Sequence, residues 1–136
     1  MIGVVIVAHG SLAPALLAAM EHVVGRQEGA RAVAIEPHDD LRARQAEVDA
    51  AVAAVDQGDG VVIVTDMFGG SPSNLAMGAL AGERTEVIYG ANLPLLVKLA
   101  KCRGRPLQEA VDCALEAGRK YIDSAGGILA ARRRRA

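Results

Sequence analysis

Aromatic side chains are nearly missing from this chain, which has no Trp, one Phe and two Tyr among 136 residues. Unpaired nucleic-acid bases need aromatic faces to stack on, so this scarcity counts against single-stranded RNA or DNA as a ligand. The core must instead come from Ala, Val, Leu and Ile, which dominate a composition that is 51% hydrophobic.

Cysteine is scarce too. Cys102 and Cys113 stand eleven apart, with no CxxC pair and no neighbouring His. That spacing suggests neither a zinc site nor a disulfide framework. Both read as small apolar packing residues in a reducing compartment. Long apolar runs are absent as well: no segment holds about eighteen uninterrupted apolar residues, the length a membrane span needs. The Val-, Leu- and Ala-rich first twenty residues lack the basic start of a secretion signal, since the first basic side chain is Arg26 and His9-Gly10-Ser11 interrupts the run. A cytoplasmic protein with no membrane insertion is expected.

Positive charge is concentrated at one end. Four of the 15 basic residues are the arginines at 132–135, leaving 11 basic against 16 acidic residues, a net of −5, in the rest. An acidic body does not suit a phosphate-backbone binder, so no nucleic-acid partner is expected. The natural division is one domain over residues 1–131 and a solvated, frayed basic tail at 132–136.

Short apolar runs alternate with helical patterns. Residues 2–7 (IGVVIV) form a wholly apolar, β-branched run suited to a strand buried on both faces. Residues 12–24 read as a helix and 31–35 as a weaker strand. Asp39 or Asp40 can cap the next helix, where Leu41, Val48, Val52 and Val55 share a stripe. The clearest strand is 61–65 (VVIVT), entered through Gly58-Asp59-Gly60. It leads into a helix with Ser71 as N-cap and Pro72 first. A fourth strand at 86–89 precedes a helix carrying Leu95, Leu96 and Leu99. Leu107, Ala110, Val111, Ala114, Leu115 and Ile122 form a further amphipathic stripe, and residues 124–130 read as coil or a short edge strand. Four strand–helix alternations predict a flavodoxin-like α/β fold. Its open parallel sheet has the order 2-1-3-4, helices on both faces and a ligand crevice at the carboxyl ends of strands 1 and 3.

Two loops flank that crevice. The first is Ala8-His9-Gly10-Ser11; the second runs Asp66-Met67-Phe68-Gly69-Gly70-Ser71-Pro72. A carboxylate at Asp66 facing His9 can bind one ring N–H, fix the tautomer and leave the other nitrogen as a nucleophile. Gly69, Gly70 and Ser71, at a helix N-terminus, can offer backbone N–H groups and a hydroxyl to an anion. No acidic cluster at metal-ligand spacing accompanies them, so no metal or cofactor is expected. Phosphoryl chemistry here would rest on positioning and electrostatics. His22 and His38 read as surface residues, Asn92 as a structural residue, and Ser11 as a cap for the first helix.

The strand-His-Gly opening at Val4–Gly10, the stretch Asp66-Met67-Phe68-Gly69-Gly70-Ser71-Pro72-Ser73-Asn74 and Gly90-Ala91-Asn92-Leu93-Pro94-Leu95-Leu96 resemble the three main motifs of the mannose-family enzyme IIA of the bacterial phosphoenolpyruvate:sugar phosphotransferase system. The resemblance covers essentially residues 1–125. It implies a protein-histidine phosphotransferase: His9 as the phosphorylated residue, Asp66 as its partner, and a phosphate site at Phe68, Gly69, Gly70 and Ser71. It further implies the carrier protein HPr as donor and a IIB domain or protein as acceptor. A homodimer with an exchanged C-terminal segment is implied as well. Ala8 departs from the Thr or Ser common at its position in the family. The phosphocarrier subunit serving dihydroxyacetone kinase shares the fold and the histidine, but Gly69-Gly70-Ser71-Pro72 favours the mannose branch. With no room for a IIB domain, a detached IIA component is expected, serving transport or regulation. Two other classes compete. Val7-Ala8-His9-Gly10-Ser11 is also similar to the opening of small cobaltochelatases, but that chemistry needs a second ligating His deep in the chain, and the 66–74 loop would go unexplained. A pure binding module would still be expected to use His9 as its switch.

Overall fold

The computed structural model describes residues 1–135 and forms a single parallel sheet between two layers of helices. The elements are β1 (Gly3–His9), α1 (Leu12–Val24), β2 (Ala30–Ile35), α2 (Leu41–Val55), β3 (Val61–Thr65), α3 (Ser71–Gly78), β4 (Thr85–Ile88), α4 (Leu93–Lys101), α5 (Leu107–Lys120) and α6 (Ala125–Arg135), with one 3₁₀ turn at Gly82–Arg84. The strand order is β2-β1-β3-β4, all parallel, as the sequence pattern predicts.

The uniform Val/Ile runs are explained by the two layers. Alternation along β1 sends Val4, Ile6 and Ala8 into one core with Met20, Leu95, Leu96, Leu99, Ala110 and Ala114. Val5 and Val7 enter the other, against Val48, Ala51, Val55, Leu75 and Ala76. With both faces covered, no position of β1 or β3 short of the carboxyl end needs a polar side chain. Packing is tight at Gly3, where an added Cβ would lie 2.5 Å from the Val55 carbonyl oxygen.

Several local expectations change. Gly70, not Ser71, is the N-cap of α3, because its carbonyl already accepts the Asn74 amide at 3.1 Å; Ser71 is therefore the first helical residue. Ser11 occupies the N-cap of α1 but makes no side-chain capping bond. Asp40 caps α2 through the Arg42 amide, while Asp39 accepts from the Glu36 amide in the preceding turn. Leu41, at the first position of α2, is half exposed rather than buried. Ile122 is exposed because α5 ends at Lys120 and the chain leaves the body there. Of residues 124–130, expected as coil or edge strand, 125–130 belong to α6 and Ser124 stands just before it. The Ser124 hydroxyl accepts from the Gly127 amide, and Ala, Leu and Arg are strong helix formers. Arg132–Arg135 lie in that helix, exposed; Ala136 of the expected tail lies outside the described residues.

At the amino ends of the strands one buried cation closes the sheet. Arg103 is 3% exposed, and its guanidinium donates to the carbonyls of Ile2 (2.7 Å) and Gly29 (3.2 Å) and to Gln27 Oε1 (3.1 Å). Its own carbonyl accepts the Ile2 amide at 2.8 Å. Burial pushes its pKa down. Arg103→Met would strand three acceptors in the interior and is expected to cost about 2–4 kcal/mol, read by urea unfolding. An unchanged midpoint would make the cation dispensable.

Candidate functional site

His9 is the last residue of β1 and the first exposed position of a strand otherwise buried. In the neighbouring strand, β3 ends at Thr65, paired with Val7, so Asp66 emerges beside His9. One carboxylate oxygen of Asp66 accepts both the His9 backbone N–H (3.1 Å) and the ring Nδ1 (2.7 Å). Its other oxygen accepts the Met67 amide at 3.0 Å. The carboxylate is thus held in one orientation. An ionised carboxylate can only accept, so the hydrogen resides on Nδ1 and Nε2 keeps its lone pair.

Exposure differs across the pair: the His9 side chain is 52% exposed and that of Asp66 12%. Burial pushes the Asp66 carboxyl up, but the hydrogen bonds from the His9 ring and amide, with the ring's charge, outweigh it and hold Asp66 below the ordinary carboxylate value.

The free edge of the ring faces the second loop. A methyl group added at Gly70 would sit 3.6 Å from Nε2, so the glycine leaves open the space beside the nucleophilic atom. Gly70 has φ +85° and ψ 175°, a conformation essentially reserved for glycine. Pro72 brings no N–H to the first turn of α3, and the amides of Ser71 and Ser73 precede the first residue that can bond back within the helix. A cavity of about 520 Å³ opens here, lined by His9, Gly10, Glu36, Pro37, Gly70 and Ser71, among others.

Of the residues singled out in the sequence, His9, Asp66, Gly70 and Ser71 meet at this crevice, with Gly69 adjoining. Phe68 is 75% exposed and packs its ring edge-on against Tyr89, 5.0 Å between centroids, at the rim. Asn92 is structural: it caps α4 through the Leu95 amide and donates to the Gly118 carbonyl, tying α5 to the loop after β4. His22 and His38 are exposed. Among the described residues, no three His, Cys, Asp or Glu side chains are grouped to hold a metal, and no helix is long and apolar enough to cross a membrane. Glu36 was not anticipated. The register that pairs His9 with Ile35 was its available signal, since the residue that follows β2 must lie beside Gly10.

A family model described as "PTS system fructose IIA component" matches residues 3–116. The chain is 34% identical over 124 residues to the mannose-specific EIIAB component of the phosphotransferase system from Escherichia coli K12, an alignment covering 89% of this chain and 38% of that protein. It thus spans about two-fifths of that relative's length. Among solved structures, a PTS IIA protein associated with the fucose utilization operon of Streptococcus pneumoniae is 26% identical, with a TM-score of 0.80 over 93% of this chain and 95% of that one. An EIIA component from Streptococcus agalactiae shares the fold, with a TM-score of 0.82, 21% identity, and coverage of 93% and 98%.

Proposed function

Because this chain belongs to the fructose/mannose IIA family of the sugar phosphotransferase system, we propose that it is a protein-histidine phosphocarrier, with Nε2 of His9 as the acceptor atom. The observation that supports this most is the 2.7 Å contact between Nδ1 and Asp66, which reserves Nε2 for chemistry and turns it toward Gly70.

The transfer runs as follows. Phosphorylated HPr docks over the crevice and its phosphoryl group meets the Nε2 lone pair in line. The new N–P bond forms as the donor's N–P bond breaks, and the donor imidazole recovers its lone pair. The proton on Nδ1 stays where it is, and Asp66 stabilises the positive charge that the phosphorylated ring gains. Gly69, Gly70 and Ser71, with the Phe68 backbone, cradle the phosphoryl oxygens at the start of α3. The exposed side chains of Leu12, Met67, Phe68 and Leu93 give the rim an apolar surface for a protein partner. A second transfer hands the group to a IIB protein, or the phosphorylated state itself serves as a signal. We place this exchange in the cytoplasm and expect a homodimer, since β2 and β4 each leave one sheet edge unpaired.

Gly70→Ala should slow transfer at least about tenfold and cost about 1–3 kcal/mol, because the backbone is strained for any L side chain and the methyl group enters the phosphoryl space. Unaltered kinetics would remove Gly70 from the cradle. The reading as a whole is tested by incubating the chain with phosphoenolpyruvate, enzyme I and HPr, with intact mass as the readout. One added phosphoryl group, labile in acid and stable in base, is expected; an unmodified chain would refute it.

A further inference from the structure

Glu36 stands at the carboxyl end of β2, one residue beyond the Ile35–His9 pairing. The Gly10 amide donates to the Ile35 carbonyl at 2.8 Å, drawing the turn after β1 against the end of β2. A Cβ built on Gly10 would lie 3.5 Å from one carboxylate oxygen of Glu36 and 3.7 Å from the other. The turn that presents Glu36 is braced: its amide donates to Asp39 Oδ2 at 2.8 Å, and Asp39 pairs with Arg44 at 3.1 Å. Arg44 is occupied by Asp39 and Glu47. Among the described residues, no cation pairs with the Glu36 side chain, which lines the same cavity as His9, Gly70 and Ser71.

An unpaired carboxylate is an odd neighbour for an anion site. A phosphoryl group on Nε2 carries close to two negative charges, and Glu36 lines the cavity beside it. Like charges sharing one cavity raise the energy of the phosphorylated state, and the repulsion is relieved when the group departs. Asp66 favours the phosphorylated ring from the Nδ1 side and Glu36 opposes it from the cavity, so the two carboxylates act in opposite directions.

We propose that Glu36 raises the group-transfer potential of phosphorylated His9, so that the carrier is loaded less fully but discharges more readily. Glu36 forms no bond to phosphorus and moves no proton; it biases the equilibrium through its charge alone. The inference rests on the carrier reading of His9.

The test is an equilibrium measurement on the full chain. Wild type, Glu36→Gln and Glu36→Lys are each mixed with phosphorylated HPr, with enzyme I and phosphoenolpyruvate removed, and the phosphoryl distribution is read by intact mass. Glu36→Gln should shift the equilibrium toward the phosphorylated IIA chain about 3- to 10-fold at low salt. Glu36→Lys should shift it further, and the differences should narrow at about 1 M salt, where screening acts within about 3 Å. Because Glu36 is exposed, neither variant should disturb folding, which circular dichroism checks. If forward and reverse rates change equally and the equilibrium does not move, Glu36 is a docking residue and the proposal fails. It also fails if nothing changes. A wild-type chain that accepts no phosphoryl group would instead bring down the carrier reading itself.

Discussion

His9→Ala should abolish phosphoryl acceptance and leave the fold standing. The side chain is 52% exposed and packs in neither core, so its loss opens no cavity. Asp66 keeps the backbone N–H of residue 9 and the Met67 amide as donors and is not left stranded. The stability change should stay within about 1 kcal/mol. No other histidine can substitute, because His22 and His38 stand on the surface and neither has a carboxylate hydrogen bond like that of His9 with Asp66. Intact mass after incubation with the phosphorylated donor, beside a thermal melt, checks both halves. Full labelling of the variant would place the acceptor elsewhere.

Asp66→Asn should cut the transfer rate by about 10²- to 10³-fold with little loss of folded protein. The amide preserves the shape but removes the charge, and its NH₂ group can donate to Nδ1. That contact favours the tautomer with hydrogen on Nε2, which blocks the nucleophilic lone pair. In the serine-protease triad the same exchange costs about 10⁴-fold; the smaller expectation here reflects a donor phosphoryl group that is already activated. A second signature lies in acid. The folded-state pKa of Asp66 is held below its ordinary value of 3.8, so its ionised form stabilises the fold above that pH. The contribution is lost as pH falls through the folded-state pKa, and stability rises with pH across that window. Asp66→Asn should lack this component of the acid transition. Wild-type rates and an unchanged acid profile would reduce Asp66 to a turn residue.

The sheet was legible because β1 and β3 are buried on both faces, and burial on both faces is what a wholly apolar β-branched run records. Placing His9 and Asp66 at adjacent strand ends then required only the strand order. The Gly70 cap was one residue harder to see: Ser-Pro is an ordinary helix start, and only the Asn74 amide bonded to the Gly70 carbonyl shows where the first helical bond is made. Residues 124–130 misled because Gly126 and Gly127 suppress the helical pattern, while the cap from Ser124 is a single local bond. Arg103 left no trace in the pattern, since three oxygens from two distant parts of the chain, Ile2 and the Gln27–Gly29 turn, satisfy it. Glu36 was hidden for a related reason: its neighbours are set by cross-strand register, which periodicity along one strand does not reveal.

One ring atom, Nε2 of His9, is where the phosphoryl group should sit. Phosphorus NMR of the chain after loading from phosphoenolpyruvate through enzyme I and HPr distinguishes the two ring nitrogens, and fragment mass spectrometry assigns the residue. The Asp66 bond to Nδ1 predicts a single phosphoramidate on Nε2 of His9, lost in acid and retained in base. A phosphoryl group on Nδ1, on a serine, or on no residue at all would contradict it.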